Sequence, residues 1–129
     1  MEVAAILGDV TGMPPSNAML DILSLLLTAW EEGGIDNRLH GWQIMKSLRR
    51  SGPVVYSALD RLEDAHWITS EWEVLPPGEH RARRRYYHLT AAGVEAAKRQ
   101  LTVVAWPKRR WPQPGFGHRV VAQSPQSGA

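Results

Sequence analysis

LHGWQIMKSLRRSGPVVYSALDRLED, residues 39–64, carries two short apolar periodicities on either side of a tight turn. In the first, Ile44 and Leu48 fall four apart and share a face of a helix expected from about His40 to Leu48. In the second, Val55, Ala58, Leu59 and Leu62 make a stripe at helical spacing, and that helix is expected to end near Asp64. The residues between, Arg49 to Pro53, read as the turn. Pro53 suits a first helical position, because its φ is preset and the amide it lacks would have no partner there. Tyr56, Ser57, Asp60 and Arg61 point away from the stripe. Two helices joined by a short turn set the second across the first, so that it can project into the major groove of a duplex and meet base edges. Pro53, Tyr56, Ser57, Asp60 and Arg61, with Lys46 on the first helix, are the candidate contacts for double-stranded DNA. Taken alone, the pattern also fits a solvated helix face.

Downstream, Trp67 to Leu75 reads as a strand with Ile68, Trp72 and Val74 on one face and Thr69, Glu71 and Glu73 on the other. Pro76 to His80 is a turn, and Arg83 to Leu89 is the returning strand, with Tyr87 and Leu89 toward the core. Arg81, Arg83, Arg84 and Arg85 crowd one end of this hairpin beside His80. Guanidiniums so close repel one another, and a phosphate backbone offsets that repulsion through counterion release. A hairpin with such a tip, next to the second helix, is expected to act as a DNA-binding wing; a solubilising charge run is the alternative. Thr90 then caps a last helix in which Val94, Ala97, Leu101 and Val104 follow at spacings of three, four and three, a short interhelical seam. That helix must end before Pro107.

Upstream, residues 1–15 read as a flexible arm, and Ser16 or Asn17 caps a helix running to about Glu32, stopped by Gly33-Gly34. Its apolar residues cover most of the circumference, whereas a helix lying on one core needs only a stripe. Burial on two sides is therefore expected: against its own core and against a second copy. Met19, Leu23, Leu26 and Leu27, with Val94, Ala97, Leu101 and Val104, are the candidate dimer interface. Trp30, Trp42 and Trp67 are expected in the core. Trp106, at the end of the last helix, is a candidate contact for a flat aromatic effector. The expected fold is mainly α with a small β-hairpin: a winged helix-turn-helix over residues 16–90, an additional C-terminal dimerisation helix over 91–106, and a basic, disordered Pro/Gly-containing tail over 107–129.

Composition narrows the function classes. The 129 residues include no cysteine, which excludes disulfides, thiol nucleophiles and cysteine-ligated zinc. Net charge is only +2, yet residues 1–37 hold no Lys or Arg and six acids, leaving 15 cations against seven acids, or +8, for residues 38–129. Such asymmetry points to a polyanion partner for the second part. No signal peptide or membrane-length apolar run is seen, so a cytoplasmic protein is expected. The five histidines form no i, i+4 pair, and neither a metal nor a cofactor is expected. Glu63-Asp64 reads as a solvent-facing pair rather than opposed catalytic carboxylates, and glycine-rich phosphate loops and nucleophile elbows are missing. An enzyme is not expected.

The ordered set of motifs resembles one family. LHGWQIMKSL (39–48) is similar to the His-Gly-aromatic-x-Ile element of PadR-type transcriptional regulators. VYSALDRLEDAHWI (55–68) resembles their Tyr-x-x-Leu-x-x-Leu-Glu reader helix, and EWE (71–73) with RRRYYHLTAAG (83–93) resembles their wing and the start of the C-terminal helix. The chain departs from the family where Pro53 replaces a glycine before the tyrosine and His66 replaces a small glycine after the reader helix. The resemblance implies a homodimeric repressor that often answers to a small molecule. It implies further that Tyr56 touches the DNA backbone, that the wing arginines reach the minor groove or phosphates, and that His40-Gly41 is structural. The rival class is a winged-helix module that docks another protein through its first helix.

Overall fold

The computed structural model describes residues 14–107. The expected arm and tail lie, over residues 1–13 and 108–129, outside the described residues. The elements in chain order are α1 (Asn17–Gly33), a 3-10 turn (Gly34–Asp36), β1 (Leu39–His40), α2 (Gly41–Leu48), α3 (Gly52–Asp64), β2 (Ile68–Trp72), β3 (Arg85–Leu89) and α4 (Ala91–Val103). Among the described residues the fold is a winged helix: four helices and a three-stranded antiparallel sheet in the order β1-β3-β2.

Ser16 caps α1, its hydroxyl accepting the Met19 amide at 3.1 Å. At the other end Gly34 takes φ 68, and the buried Asn37 amide group donates to the Ala29 carbonyl at 2.9 Å, tying the following loop to the last turn of the helix. Between these ends α1 is the axis of the core. It packs against α2 and α3 on one side and against α4 and β3 on the other. Met19 and Leu23 have no exposed surface and Leu26 only 2%. Most of the apolar surface of α1 is thus buried within its own chain. That corrects the expectation that Met19, Leu23 and Leu26 face a second copy. Val94 and Ala97 of α4 are buried in the same core.

The stripe of α3 behaves as its spacing requires: Val55, Ala58, Leu59 and Leu62 are all buried. The helix begins at Gly52, with Ser51 extended before it and Pro53 in the first turn. It ends in a Schellman turn, the Trp67 amide donating to Leu62 O at 3.1 Å and the His66 amide to Glu63 O at 2.9 Å. His66 supplies the left-handed residue, φ 64, where glycine would be unstrained. α4 ends in the same way, with Ala105 at φ 52 and the Trp106 amide on Leu101 O at 2.9 Å.

The junction of sheet and α4 is tight. Thr90 accepts the Gly93 amide at 2.9 Å and donates to His66 O at 2.8 Å, while its own amide donates to Trp67 O at 3.0 Å. A Cβ on Gly93 would lie 1.8 Å from that same Trp67 oxygen. In the sheet, β2 pairs with β3 from Ile68↔Leu89 to Trp72↔Arg85, and β1 adds Leu39↔Tyr87 and His40↔Tyr86. β1 was not expected, since two residues carry no period. β2 is shorter than the expected Trp67–Leu75: pairing continues only through the Glu73 amide to Arg84 O at 2.7 Å, before Pro76-Pro77 removes two donors. Val74 is consequently 89% exposed and Trp72 53%.

Of the three tryptophans expected in the core, only Trp67 is buried. Trp42 leaves the start of α2 outward, 57% exposed, with the Lys46 ammonium 4.5 Å from its ring centre. Trp30 lies on the outer side of α1 at the edge of exposure, under the Lys98 ammonium at 5.8 Å. A cation thus stands over each of these two rings.

Candidate nucleic-acid interface

The exposed side of α3 carries Pro53, Tyr56, Ser57 and Asp60, opposite its buried stripe, with Arg61 half-buried on the flank. Across from it stands the wing. Between the two lies a recess of about 500 Å³, lined among others by Trp42, Tyr56, Asp60, Trp72, Arg83 and Arg84. Tyr56 lies directly over Gly41, where a Cβ would stand 2.1 Å from the phenol oxygen. The glycine of the His40-Gly41 pair is therefore what lets the phenol rest against the start of α2. Lys46, also exposed, is held over Trp42 on the same helix.

His40 precedes α2 in extended conformation, and its amide donates to the side chain of Gln43 at 3.0 Å. Its ring stacks on Trp42 at 6.4 Å and meets Tyr86 edge-on at 5.6 Å. Burial, and then the charge of Arg84, lower its pKa to about 4, so the imidazole is neutral at pH 7. This supports a packing role for His40 rather than that of a base.

The wing arginines divide into two kinds. Arg81 grips Glu73 with both terminal nitrogens, at 2.9 and 2.6 Å, and approaches Glu79 at 3.4 Å. The Arg81 hydrogen bonds are the main reason the Glu73 carboxyl titrates below its ordinary value. Arg85 donates to Ser70 at 2.8 Å and pairs with Glu63 at 3.4 Å, while Ser70 donates to Glu63 at 2.7 Å. Glu63 is thus not the free solvent-facing acid expected; it anchors the wing to α3. Arg83 rests over the Trp72 ring at 5.8 Å. Arg84 uses its backbone amide, on Glu73 at 3.2 Å, and its guanidinium makes no ion pair among the described residues. The four-way repulsion expected from the sequence is largely answered by Glu63, Glu73 and Glu79. Arg83 and Arg84 remain as the uncommitted cations.

One contact had no place in the sequence reading. Arg50, in the turn before α3, donates to Asp21 Oδ2 from Nε at 3.2 Å and Nη2 at 3.0 Å, and the Asp21 side chain is only 4% exposed. It ties the turn to α1. A lone acid within the apolar run of α1 was the available signal.

A sequence model of the transcriptional regulator PadR-like family matches residues 35–99, just over half of the chain. The chain belongs to the PadR-like family of transcriptional regulators. Solved structures agree on its fold. A PadR family regulator from Clostridium difficile R20291 is 23% identical over 70% of this chain and 92% of its own, with a TM-score of 0.51. The circadian clock associated protein Pex from Anabaena is 27% identical, covering 67% of this chain and 72% of that one, with a TM-score of 0.50. S. aureus MepR, solved as a DNA complex, is 21% identical over 86% of this chain and 67% of its own, with a TM-score of 0.51. None of the functionally curated proteins matches the sequence.

In this PadR-family chain the other side of the molecule offers a second surface. α1 and α4 leave Leu27 and Leu101 half-buried and Val103 and Val104 exposed. Beside them runs a groove of about 440 Å³ lined by Ser24, Thr28, Glu31, Lys98 and Trp106, among others. The Schellman turn at Ala105 folds Trp106 back into this groove, where its indole N–H is buried with no acceptor among the described residues. Among the described residues, no helix is long and apolar enough to cross a membrane and no cluster of side chains could hold a metal ion.

Proposed function

We propose that this PadR-family chain is a sequence-specific DNA-binding repressor that acts in the cytoplasm as a homodimer. The observation that carries the reading is the recess between α3 and the wing, with the exposed side of α3 along one wall and Arg83 and Arg84 uncommitted along the other. α3 enters a major groove, where Ser57, Asp60 and Arg61 meet base edges and Pro53 sits against the backbone. Tyr56 and Lys46 hold flanking phosphates. Arg83 and Arg84 reach the adjoining backbone, with Arg81 and Arg85 bracing the wing behind them. MepR, of the same fold, is solved on DNA. The second copy packs on the face left by Leu27, Leu101 and Val104, with Val94 and Ala97 supporting it from beneath. Two reader helices then address half-sites about one helical turn apart. Trp106 and its groove are the place for a flat aromatic effector that alters the spacing of the pair.

The test is a gel shift with duplexes selected from a random pool, together with sizing of the free protein. Wild type is expected to elute as a dimer and to enrich a pseudo-palindrome, and an Arg83→Ala/Arg84→Ala variant to bind that duplex more weakly. Equal binding by the two proteins would overturn the wing assignment. A monomer without DNA affinity would favour a protein-docking module instead.

A further inference from the structure

The ridge of α3 that stands farthest from the core is built from Pro53, Ser57, Asp60 and Asp64, at spacings of four, three and four. All four are exposed and none is a cation. The basic residues lie to the sides, Arg61 on the flank and Arg83 and Arg84 across the recess. This is an unusual arrangement for a helix offered to a polyanion, because a carboxylate near phosphate is repelled. Asp60 could have been neutralised within the fold. It lines the same recess as Arg83, Arg84 and Arg85. Yet Arg85 goes one turn further and takes Glu63, Arg81 takes Glu73 and Glu79, and Asp60 makes no ion pair or hydrogen bond among the described residues. Glu63, Glu71, Glu73 and Glu79 around the wing are paired, while Asp60, on the ridge beside the recess, is left open.

We propose that Asp60 is a specificity-determining residue that accepts a hydrogen bond from the exocyclic amino group of a cytosine in the operator. The inference rests on the reading of α3 as the helix that enters the major groove. There, guanine shows two acceptors and thymine an acceptor and a methyl group, so both repel or ignore a carboxylate. Adenine shows its amino group beside the N7 acceptor, which disfavours an anion next to it. Cytosine alone shows a donor without an acceptor on the same base edge. An acid held at this position weakens binding to every other sequence, so it discriminates by exclusion as well as by attraction.

The experiment selects duplexes from a random pool with the full chain, as wild type, Asp60→Ala and Asp60→Asn. Each protein is then titrated against the wild-type winner and its single-base variants. Wild type is expected to enrich cytosine at one position of each half-site, and replacing that base should weaken binding about tenfold. Asp60→Asn should move the preference at that position to adenine, whose N6 and N7 match a carboxamide. Asp60→Ala should lose the preference there and keep it elsewhere. Asp60 is exposed, so an unchanged melting curve verifies that both variants fold. Asp60→Ala that retains the wild-type preference would overturn the proposal. So would Asp60→Ala that binds all duplexes more tightly by one common factor, since Asp60 would then only repel phosphate. If wild type and both variants enrich nothing at any position, it is the placement of α3 in the groove that fails.

Discussion

Replacing Gly93 by alanine is expected to destabilise the protein by about 2–3 kcal/mol, and the figure follows from one contact. The new Cβ would begin 1.8 Å from the Trp67 carbonyl oxygen, and separating them to 3.0 Å requires a displacement of at least 1.2 Å. The oxygen cannot turn aside, because it belongs to the backbone and accepts the Thr90 amide at 3.0 Å. The start of α4 has to move instead, which disturbs the cap formed by the Gly93 amide on the Thr90 hydroxyl at 2.9 Å. Forcing an added methyl into a packed site costs about 1–3 kcal/mol, and losing a cap about 1 kcal/mol. Alanine returns up to about 1 kcal/mol through its helix propensity. Two other glycines provide internal controls. A Cβ on Gly52 would meet nothing nearer than Met45 Cε at 3.6 Å, an ordinary contact, so Gly52→Ala should be neutral or stabilising by up to about 1 kcal/mol. A Cβ on Gly41 meets the tip of Tyr56, which is 44% exposed and can swing aside. Gly41→Ala should therefore cost about 1 kcal/mol or less in stability while weakening DNA binding through the displaced phenol. Urea titrations at one protein concentration, with the slope compared between variants, measure the series. A loss below about 1 kcal/mol for Gly93→Ala at unchanged slope, or equal midpoints for Gly93→Ala and Gly52→Ala, would refute the close approach at Trp67.

Four further outcomes are expected. His66→Gly relieves a left-handed residue at the end of α3 and should raise stability by about 1 kcal/mol, read as a higher urea midpoint. Arg50→Ala leaves the Asp21 carboxylate buried without that partner and should cost about 2 kcal/mol, less than for a fully buried pair because the Arg50 side chain is itself 33% exposed. His40 resists protonation down to about pH 4, whereas the unfolded chain takes up that proton near pH 6.5. Its contribution to stability is whole above pH 6.5 and is lost as pH falls toward 4, so His40→Gln should flatten that limb of a stability–pH profile. Arg84→Ala should weaken binding to all duplexes alike and reduce the salt slope by about 1, while Arg81→Ala, already held by Glu73, should change it less.

Features governed by residues close in sequence were legible. The α3 stripe, the turn before it, the Ser16 and Thr90 caps and the inward Tyr87 and Leu89 each depend on a few neighbouring positions, and the structure has them as read except that Gly52 and Pro53 belong to α3 and not to the turn. What escaped depends on partners far apart. Asp21 and Arg50 are 29 positions distant, and no local pattern brings them together. Glu73 and Arg81, like Glu63 and Arg85, face each other only once the hairpin is in place, so the guanidiniums read as crowded when two of them were already matched. The two-residue β1 is defined wholly by its pairing with β3. Trp30 and Trp42 show that hydrophobicity does not by itself bury an indole; their positions on the outer sides of α1 and α2 decided it. The apolar circumference of α1 was read as a need for burial on two sides; Met19, Leu23 and Leu26 find that burial within the same chain, while Leu27 stays half-buried.

The little strand β1 has a consequence for the DNA itself. It runs directly into α2 on one side and is stitched to β3 of the wing on the other. The helix pair and the hairpin are thereby joined by peptide hydrogen bonds through β1 as well as by the Glu63–Ser70–Arg85 side chains. On the proposed reading much of the yielding falls to the duplex, and sequences that reach the required groove width and bend at low cost are expected to be favoured even at base pairs that no side chain touches.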